Sequence, residues 1–378
     1  MRHVLRKELM VENNLLNHGL DLPSWVAEFF RESGGVNLQE IDLTQLSQIC
    51  QHQTIDRLFV DESFVDEKRS DSPHIKVIDL MEQGRVRALI VYSNHPWHIP
   101  TSIMNKLDNL AMSCPVTIIV NGYFERTYRN IKVHNIDAWE QLISHYFNLL
   151  LAQELHKSRQ PTKTFMIQTV FKDPFRKAIG DQLRGSKIWH QFATSVGTNT
   201  SESLDVGKQK LIQDLERQHG TGQYINALRA FGNGLPNFKI YEQAFCELVL
   251  ETRVTGDWHF TEKTFRPIAL GIPIVHLGHR PQHDRLLDYG YLLYDNGFYE
   301  QWHSESDTKE KLSCLTAFLD HIHDSETARD KLAQTAQHNY QTFWNKRKNK
   351  YYSHTQTIFD LICGGDTLLS TVYKRMNL

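Results

Sequence analysis

The chain has 378 residues, 40% of them hydrophobic and 23% charged, and a formal net charge of −2 at pH 7. That length allows two domains with separate cores. The near-zero charge excludes the global basic field behind non-specific nucleic-acid binding, though not a local basic groove, and the modest content of 11 prolines and 20 glycines excludes collagen-like and low-complexity classes.

The first 14 residues are basic but carry no apolar h-region and no small-residue cleavage site, so they do not read as a secretory leader. No run approaches ~18 uncharged apolar residues, which argues against membrane insertion; the expected location is the cytoplasm. Cys50, Cys114, Cys246, Cys314 and Cys363 are scattered and lack zinc or redox spacing. Buried free thiols in a reducing compartment fit them.

Residues 1–72 read as an N-terminal helical segment. Leu22, Trp25, Val26, Phe29 and Phe30 recur at helical spacing until Gly34-Gly35, and a second helix opens near Asp42 or Thr44. The period then changes. The runs 74–80 (HIKVIDL), 87–93 (RALIVYS) and 115–123 (PVTIIVNGY) are short and β-branched, the pattern of strands covered on both faces of a parallel sheet. A helix over 138–156 follows, and the polar, Pro-containing break 158–163 (SRQPTK) is the expected linker.

A second α/β unit starts there. A strand is predicted over 164–171, a helix over 174–184 ended by Gly185, and strands within 239–252, 272–278 and 287–294. Helices are predicted over 308–323, 326–344 and about 351–376. The whole predicts an α/β protein of two Rossmann-like domains, 73–158 and 159–345, flanked by the helical segment 1–72 and a C-terminal helix, 346–378. The cleft between the two sheets is the expected ligand site, because open α/β sheets bind at strand carboxyl ends. Fold alone names no reaction.

The stretch 245–278 (FCELVLETRVTGDWHFTEKTFRPIALGIPIVHLG) carries the chemistry. Glu251 ends an apolar strand. A loop with Gly256 and Asp257 leads to Thr261, a good N-cap, and the helix it opens would turn free N–H groups and a positive dipole end toward an anion. Lys263 adds a full charge for phosphate oxygens. Glu262 would repel phosphate but suits paired ribose hydroxyls, which need an acceptor. Gly271 closes the helix and Pro273 opens the next strand. Pro267 removes a hydrogen bond to the carbonyl of Lys263, so a kink or a short irregular first turn is expected.

Leu250-Glu251-Thr252, then Thr261-Glu262-Lys263, then Gly271-Ile272-Pro273 resemble the donor-binding motif of GT-B glycosyltransferases related to the α1,3-fucosyltransferases. The run 261–268 (TEKTFRPI) is similar to phage and bacterial glycosyltransferase-like proteins, which also carry a basic residue soon after the first strand of the second domain; Arg176 matches it. The resemblance covers roughly 160–300, and its specific core is about 30 residues. It implies a GT-B-like architecture in which Glu262 holds ribose, Lys263 and Arg176 neutralise diphosphate, and Glu251 supports the sugar or the loop. Thr252 stands where the fucosyltransferases have Asn, and His259 where they have Tyr, so GDP-fucose is not carried over as the donor.

Three further places are candidates. The loop 93–100 (SNHPWHIP) puts His95 and His98 at a strand's carboxyl end, where a general base for an acceptor hydroxyl is needed. Asn121-Gly122 follows another strand. Residues 279–284 (HRPQHD) read as a loop lining the cleft rather than a metal site. No Asp-x-Asp with apolar flanks is present, so neither a metal nor another cofactor is expected beyond the nucleotide sugar itself. The basic cluster 345–350 (NKRKNK) reads as a solvated helix end that could touch a phosphate-rich acceptor.

The expected function is transfer of a hexosyl or pentosyl group from a nucleotide-diphosphate sugar to a hydroxyl acceptor, with a glycan or modified DNA as partner. The alternatives are a DNA-modifying glycosyltransferase acting on hydroxymethylated bases, a bacterial surface-glycan enzyme, and a non-catalytic nucleotide-binding protein of the same fold.

Overall fold

The computed structural model describes residues 2–5, 38–41, 50–52, 54–55, 57–60, 73–93, 96, 99–137, 140, 159–169, 174–196, 238–251 and 256–363. The chain divides into two compact units: Met1–Ala138 with Gly256–His259 and Lys350–Leu378, and Trp139–Thr255 with Phe260–Asn349.

Among the described residues the first unit has six parallel strands: β1 (Arg2–Leu5), β2 (Leu38–Ile41), β3 (Arg57–Val60), β4 (Leu89–Ser93), β5 (Val116–Asn121) and β6 (Lys132–Ile136). Their order across the sheet is β2-β1-β3-β4-β5-β6. Helix α1 (Pro73–Glu82) precedes β4, and α2 (Thr101–Leu110) lies between β4 and β5. Val116, Ile118 and Val120 of β5 join the core with Val77, Met81, Ile103 and Leu107, while Ile119 is buried on the opposite face. A strand with both faces covered reads as a continuous apolar run, and Ile118-Ile119-Val120 of β5 form one.

Two expectations for this unit are corrected. Residues 1–72 are not simply helical: they supply β1, β2 and β3. Strands of four residues (RHVL, LQEI, RLFV) are too short to establish a period, and only parallel pairing with neighbours defines them. Of the helix predicted from Asp42 or Thr44, residues 50–52 are helical and the rest lies outside the described residues, as does the helix expected before Gly34. The run 74–80, read as a strand, lies in α1. Val77, Ile78 and Met81 are buried while Asp79 and Glu82 are exposed, a one-sided helical spacing that outweighs the β-propensity of Ile and Val.

The second unit holds β7 (Lys163–Thr169), α3 (Pro174–Arg184), a 3-10 turn (Trp189–Gln191), β8 (Phe192–Val196), α4 (Phe238–Gln243) and β9 (Ala244–Leu250). There follow α5 (Glu262–Ala269), β10 (Ile274–Leu277), α6 (Arg280–Asp288), α7 (Phe298–Ser304), α8 (Thr308–Asp324) and α9 (Glu326–Cys363). The sheet is parallel, in the order β10-β9-β7-β8. Both sheets therefore follow the doubly wound scheme: the first strand is internal, the second lies to one side, and later strands lie to the other. Connections in such a sheet diverge from the point where the order reverses, which opens a crevice at the carboxyl ends of β1 and β3, and of β7 and β9.

Cys246, Leu248 and Leu250 of β9 enter a core with Phe165, Ile167, Ile179, Leu183 and Leu315. Alternation sends Glu247, Val249 and Glu251 to the other face. The break 158–163 is not a loose linker. The Arg159 guanidinium donates to the carbonyls of Tyr241, Ala244 and Phe245, the last two at 2.7 and 2.8 Å, and Lys163 already belongs to β7.

The strand expected within 287–294 does not form. Leu292 pairs instead with a side chain: its N–H donates to Asn339 Oδ1 at 2.7 Å, and its carbonyl accepts from Asn339 Nδ2 at 2.8 Å. One amide of α9 thus satisfies the backbone that a neighbouring strand would have served. The two helices predicted after residue 326 are continuous as far as Cys363. Among the described residues no helix is long and apolar enough to cross a membrane.

Candidate nucleotide-binding site

β9 delivers Glu251 to the carboxyl edge of the second sheet, 2% exposed. Its Oε1 accepts from the backbone N–H of Thr261 at 3.1 Å and from the Thr264 hydroxyl, and His276 Nε2 lies 3.9 Å away. Burial opposes the charge on this carboxylate, but the His276 N–H, the charge of Lys263 and the Thr264 hydroxyl outweigh it and hold the group well below the usual carboxylate range. Glu251 is thus an ionised acceptor that fixes the start of α5.

Thr261 caps that helix with φ −110° and ψ 176°, its hydroxyl accepting from Lys263 N–H at 3.3 Å. The first turn is tight, Thr264 N–H donating to the Thr261 carbonyl three residues back at 3.2 Å, and the helix continues through Pro267 to Ala269. At the other end Gly271 takes φ 67°. Its N–H donates to Ile268, and the N–H of Ile272 reaches back to Pro267 at 2.8 Å. That paired closure needs a left-handed residue, which glycine supplies without strain.

Glu262 and Lys263 are not surface decoration. Their side chains are only 21% and 19% exposed; Lys263 Nζ lies 3.2 Å from Glu262 Oε1, and Arg266 Nη2 lies 3.8 Å from the same oxygen. Burial opposes the Glu262 charge, and Lys263 with Arg266 restores it, leaving the carboxyl below its usual range. Arg266 is itself buried and is kept charged by Tyr241, Glu262 and Glu247. Burial pushes the Glu247 carboxyl up to about 7, against the pull of Arg266 and the Tyr241 hydroxyl, which donates to it at 2.8 Å.

Arg176 stands in the first turn of α3, which follows β7. Its Nη2 donates to the Leu250 carbonyl at 3.4 Å, beside Glu251. Arg176, Glu251, Thr261, Glu262 and Lys263 therefore converge on one sheet edge, at the reversal between β7 and β9. Two cations, a helix start and a partly exposed carboxylate together suit a ligand with a diphosphate and vicinal hydroxyls.

The other candidates fare differently. His95 and His98 lie outside the described residues. Residues 280–284 of the expected loop open α6 instead, and the N–H of His279 donates to Gln282 Oε1 at 2.6 Å. Asn121 is buried, and Gly122 has φ 124°. The backbones of Tyr123 and Trp258 exchange hydrogen bonds of 2.7 and 3.0 Å beside it, and their rings stack at 4.2 Å. In the cluster 345–350, described positions lie inside α9 rather than at its end. Among the described residues no group of three or more His, Cys, Asp or Glu could hold a metal.

Thr264, Arg266 and His276 were not anticipated as parts of this site. A signal existed in β9, where Glu247 and Glu251 share one face of a strand buried on both sides. A carboxylate there demands partners from the covering helix or the next strand. The register supplies one, since His276 sits opposite Val249.

No protein-family model matches the chain, and neither does any curated protein. Among solved structures, UDP-GlcNAc 2-epimerase from Neisseria meningitidis, bound to UDP-GlcNAc, aligns with a TM-score of 0.33 and 12% identity over 93% of this chain and 99% of its own. Likeness at that level carries no weight for fold or activity. The fold rests on strand order and register, and the site on its side chains.

Proposed function

We propose that the chain is a metal-independent glycosyltransferase of the GT-B type, moving a sugar from a nucleotide-diphosphate sugar to a hydroxyl acceptor. The observation that carries this reading is the convergence of Arg176, Lys263 and the α5 N-terminus at the reversal point of the second sheet, with Glu262 alongside. In this reading Lys263 leaves its contact with Glu262 when a diphosphate arrives. The freed carboxylate then accepts from the ribose hydroxyls. Lys263, Arg176 and the helix dipole stabilise the departing nucleoside diphosphate as the glycosidic bond breaks. Glu251, buried and committed to Thr261 and Thr264, is assigned to the loop rather than to the sugar. Deprotonation of the acceptor is assigned to His95 or His98.

A thermal-shift panel of UDP-, GDP-, dTDP- and CMP-sugars tests the donor, since a ligand that binds only the native state raises its melting temperature. One nucleotide class should stabilise the protein. The Lys263→Ala variant should bind that donor about 10- to 100-fold more weakly, the scale of a charge-assisted contact worth ~1.5–3 kcal/mol. No stabilisation at millimolar concentration, or unchanged affinity in the variant, refutes the reading.

A further inference from the structure

Three histidines stand end to end beneath the start of α5. His276 is fully buried and His283 is 4% exposed, while His303, on α7, is the most accessible. His303 Nε2 lies 2.6 Å from His283 Nδ1, His283 Nε2 lies 2.9 Å from His276 Nδ1, and His276 Nε2 lies 3.0 Å from Thr264 Oγ1. The Thr264 hydroxyl then donates to Glu251.

The chemistry of the last link fixes the direction of all the others. An ionised carboxylate only accepts, so the single Thr264 proton is spent on Glu251. Thr264 must therefore accept from His276, whose Nε2 carries a proton. A neutral His276 then has an acceptor at Nδ1, so His283 Nε2 is the donor. The geometry requires this: the same nitrogen faces the His276 carbonyl at 3.0 Å, and a carbonyl only accepts. Nε2 of His283 therefore carries the proton, and Nδ1 of His276 is left bare to accept it. By the same step His303 Nε2 donates to His283 Nδ1. Every proton points the same way, from His303 toward Glu251, and all three rings are Nε2–H tautomers.

Burial lowers the pKa of His283 and brings that of His303 down to about 4, so these two rings are neutral near neutrality. Two further contacts hold His276 in place. Its backbone N–H donates to the Tyr299 hydroxyl at 3.1 Å. Gly278 leaves the ring its room, because a Cβ there would lie 2.8 Å from His276 Nδ1 and 2.6 Å from Gln282 Oε1.

We propose that His276 is a positioning residue of the nucleotide site, held in its Nε2–H tautomer by His283 and His303 so that it locks Thr264 and Glu251, and through them the first turn of α5. That this turn serves a sugar-nucleotide donor rests on the function proposed above; the lock itself does not.

The test uses the full chain labelled with ¹⁵N-histidine. Long-range ¹H–¹⁵N spectra should show all three rings as Nε2–H tautomers, and His283→Phe should move His276 away from that form. In His276→Phe, which removes the donor, and in Thr264→Val, which removes only the hydroxyl, amide exchange at 261–264 should accelerate about tenfold or more while β7 and β8 keep their protection. His276→Gln places an amide donor near the lost Nε2 and should restore slow exchange. Affinity for the nucleoside diphosphate that stabilises the wild type should follow the same order.

An Nδ1–H tautomer at His276, or exchange at 261–264 unchanged in both Thr264→Val and His276→Phe, overturns the lock. Should His276→Phe not fold, Thr264→Val and the wild-type tautomers decide the question. Should no nucleoside diphosphate bind the wild type, the donor reading fails, and the exchange and tautomer results still judge the lock.

Discussion

Replacing Glu251 tests the central acceptor of the site. In Glu251→Ala two buried donors, the Thr261 N–H and the Thr264 hydroxyl, lose their partner, and His276 loses the carboxylate 3.9 Å away. Each stranded donor costs about 1–3 kcal/mol, so the pair predicts about 4 kcal/mol, reduced somewhat if the Thr264 hydroxyl turns toward His276. Glu251→Gln keeps an acceptor oxygen in place and exchanges charge-assisted bonds for neutral ones, a loss of about 1–2 kcal/mol. The two units need not unfold together, so native-state hydrogen exchange on β9, β10 and α5 amides is the suitable assay, read as a local opening free energy. A Glu251→Ala cost below about 0.5 kcal/mol would show that the acceptor role is wrong. Equal losses in Ala and Gln would show that the negative charge, which both variants remove, rather than the acceptor oxygen that Gln keeps, is what matters.

Gly122→Ala should destabilise the first unit by roughly 3 kcal/mol or more, because φ 124° is unfavourable for alanine and its Cβ would lie 2.5 Å from the Trp258 carbonyl and 2.6 Å from His259 Cβ; near-wild-type native-state exchange protection of the β4 and β5 amides would refute that. His303 contributes a pH dependence of known sign. Its folded pKa of about 4 lies below the usual 6.5, through burial first and then Arg280, Lys311 and His279 against Asp284, with His283 in contact. The unfolded chain therefore takes up the proton first, and the stabilisation present above about pH 6.5 is lost as pH falls toward 4. Discounted for partial exposure, this amounts to ~1–2 kcal/mol. The difference between wild type and His303→Gln measured at pH 7 and pH 4.5 should reveal it, and parallel pH profiles would contradict it. Gly278→Ala, whose Cβ would press on His276 and Gln282, should accelerate exchange at Thr261 without moving that of β8; protection equal to wild type would mean the ring yields at no cost.

Sequence patterns worked best where apolar runs were long and well punctuated. Helix α3 between Pro174 and Gly185, and the passage from β9 through Gly271 to β10, could be read because Gly and Pro mark their ends. Strand β8, FATSV, could not, since Thr194 and Ser195 interrupt its apolar character and only its pairing with β7 makes it a strand. Helix α1 reads as a strand in the sequence because β-branched residues favour strand until a neighbour shows which side is buried. At the site, the charged triplet was visible as letters, but its shielding was not: Glu262 and Lys263 are covered by packing that no local pattern encodes. The histidine series was beyond sequence reach, because residues 276, 283 and 303 come from a strand and two helices and meet only through tertiary packing. In a chain with 20 histidines, none of the three stands out.

The interleaving of the two units in the chain has a practical consequence. Residues Gly256–His259 belong with the first unit although sequence from the second flanks them on both sides, and the return to the first unit at Lys350 falls inside α9. A single cut therefore cannot yield two whole units. A fragment ending near residue 138 would leave the Tyr123 backbone without Trp258, and one spanning 139–349 would carry that tetrapeptide away from Tyr123. Dissection of this protein calls for point variants or co-expressed segments rather than truncation.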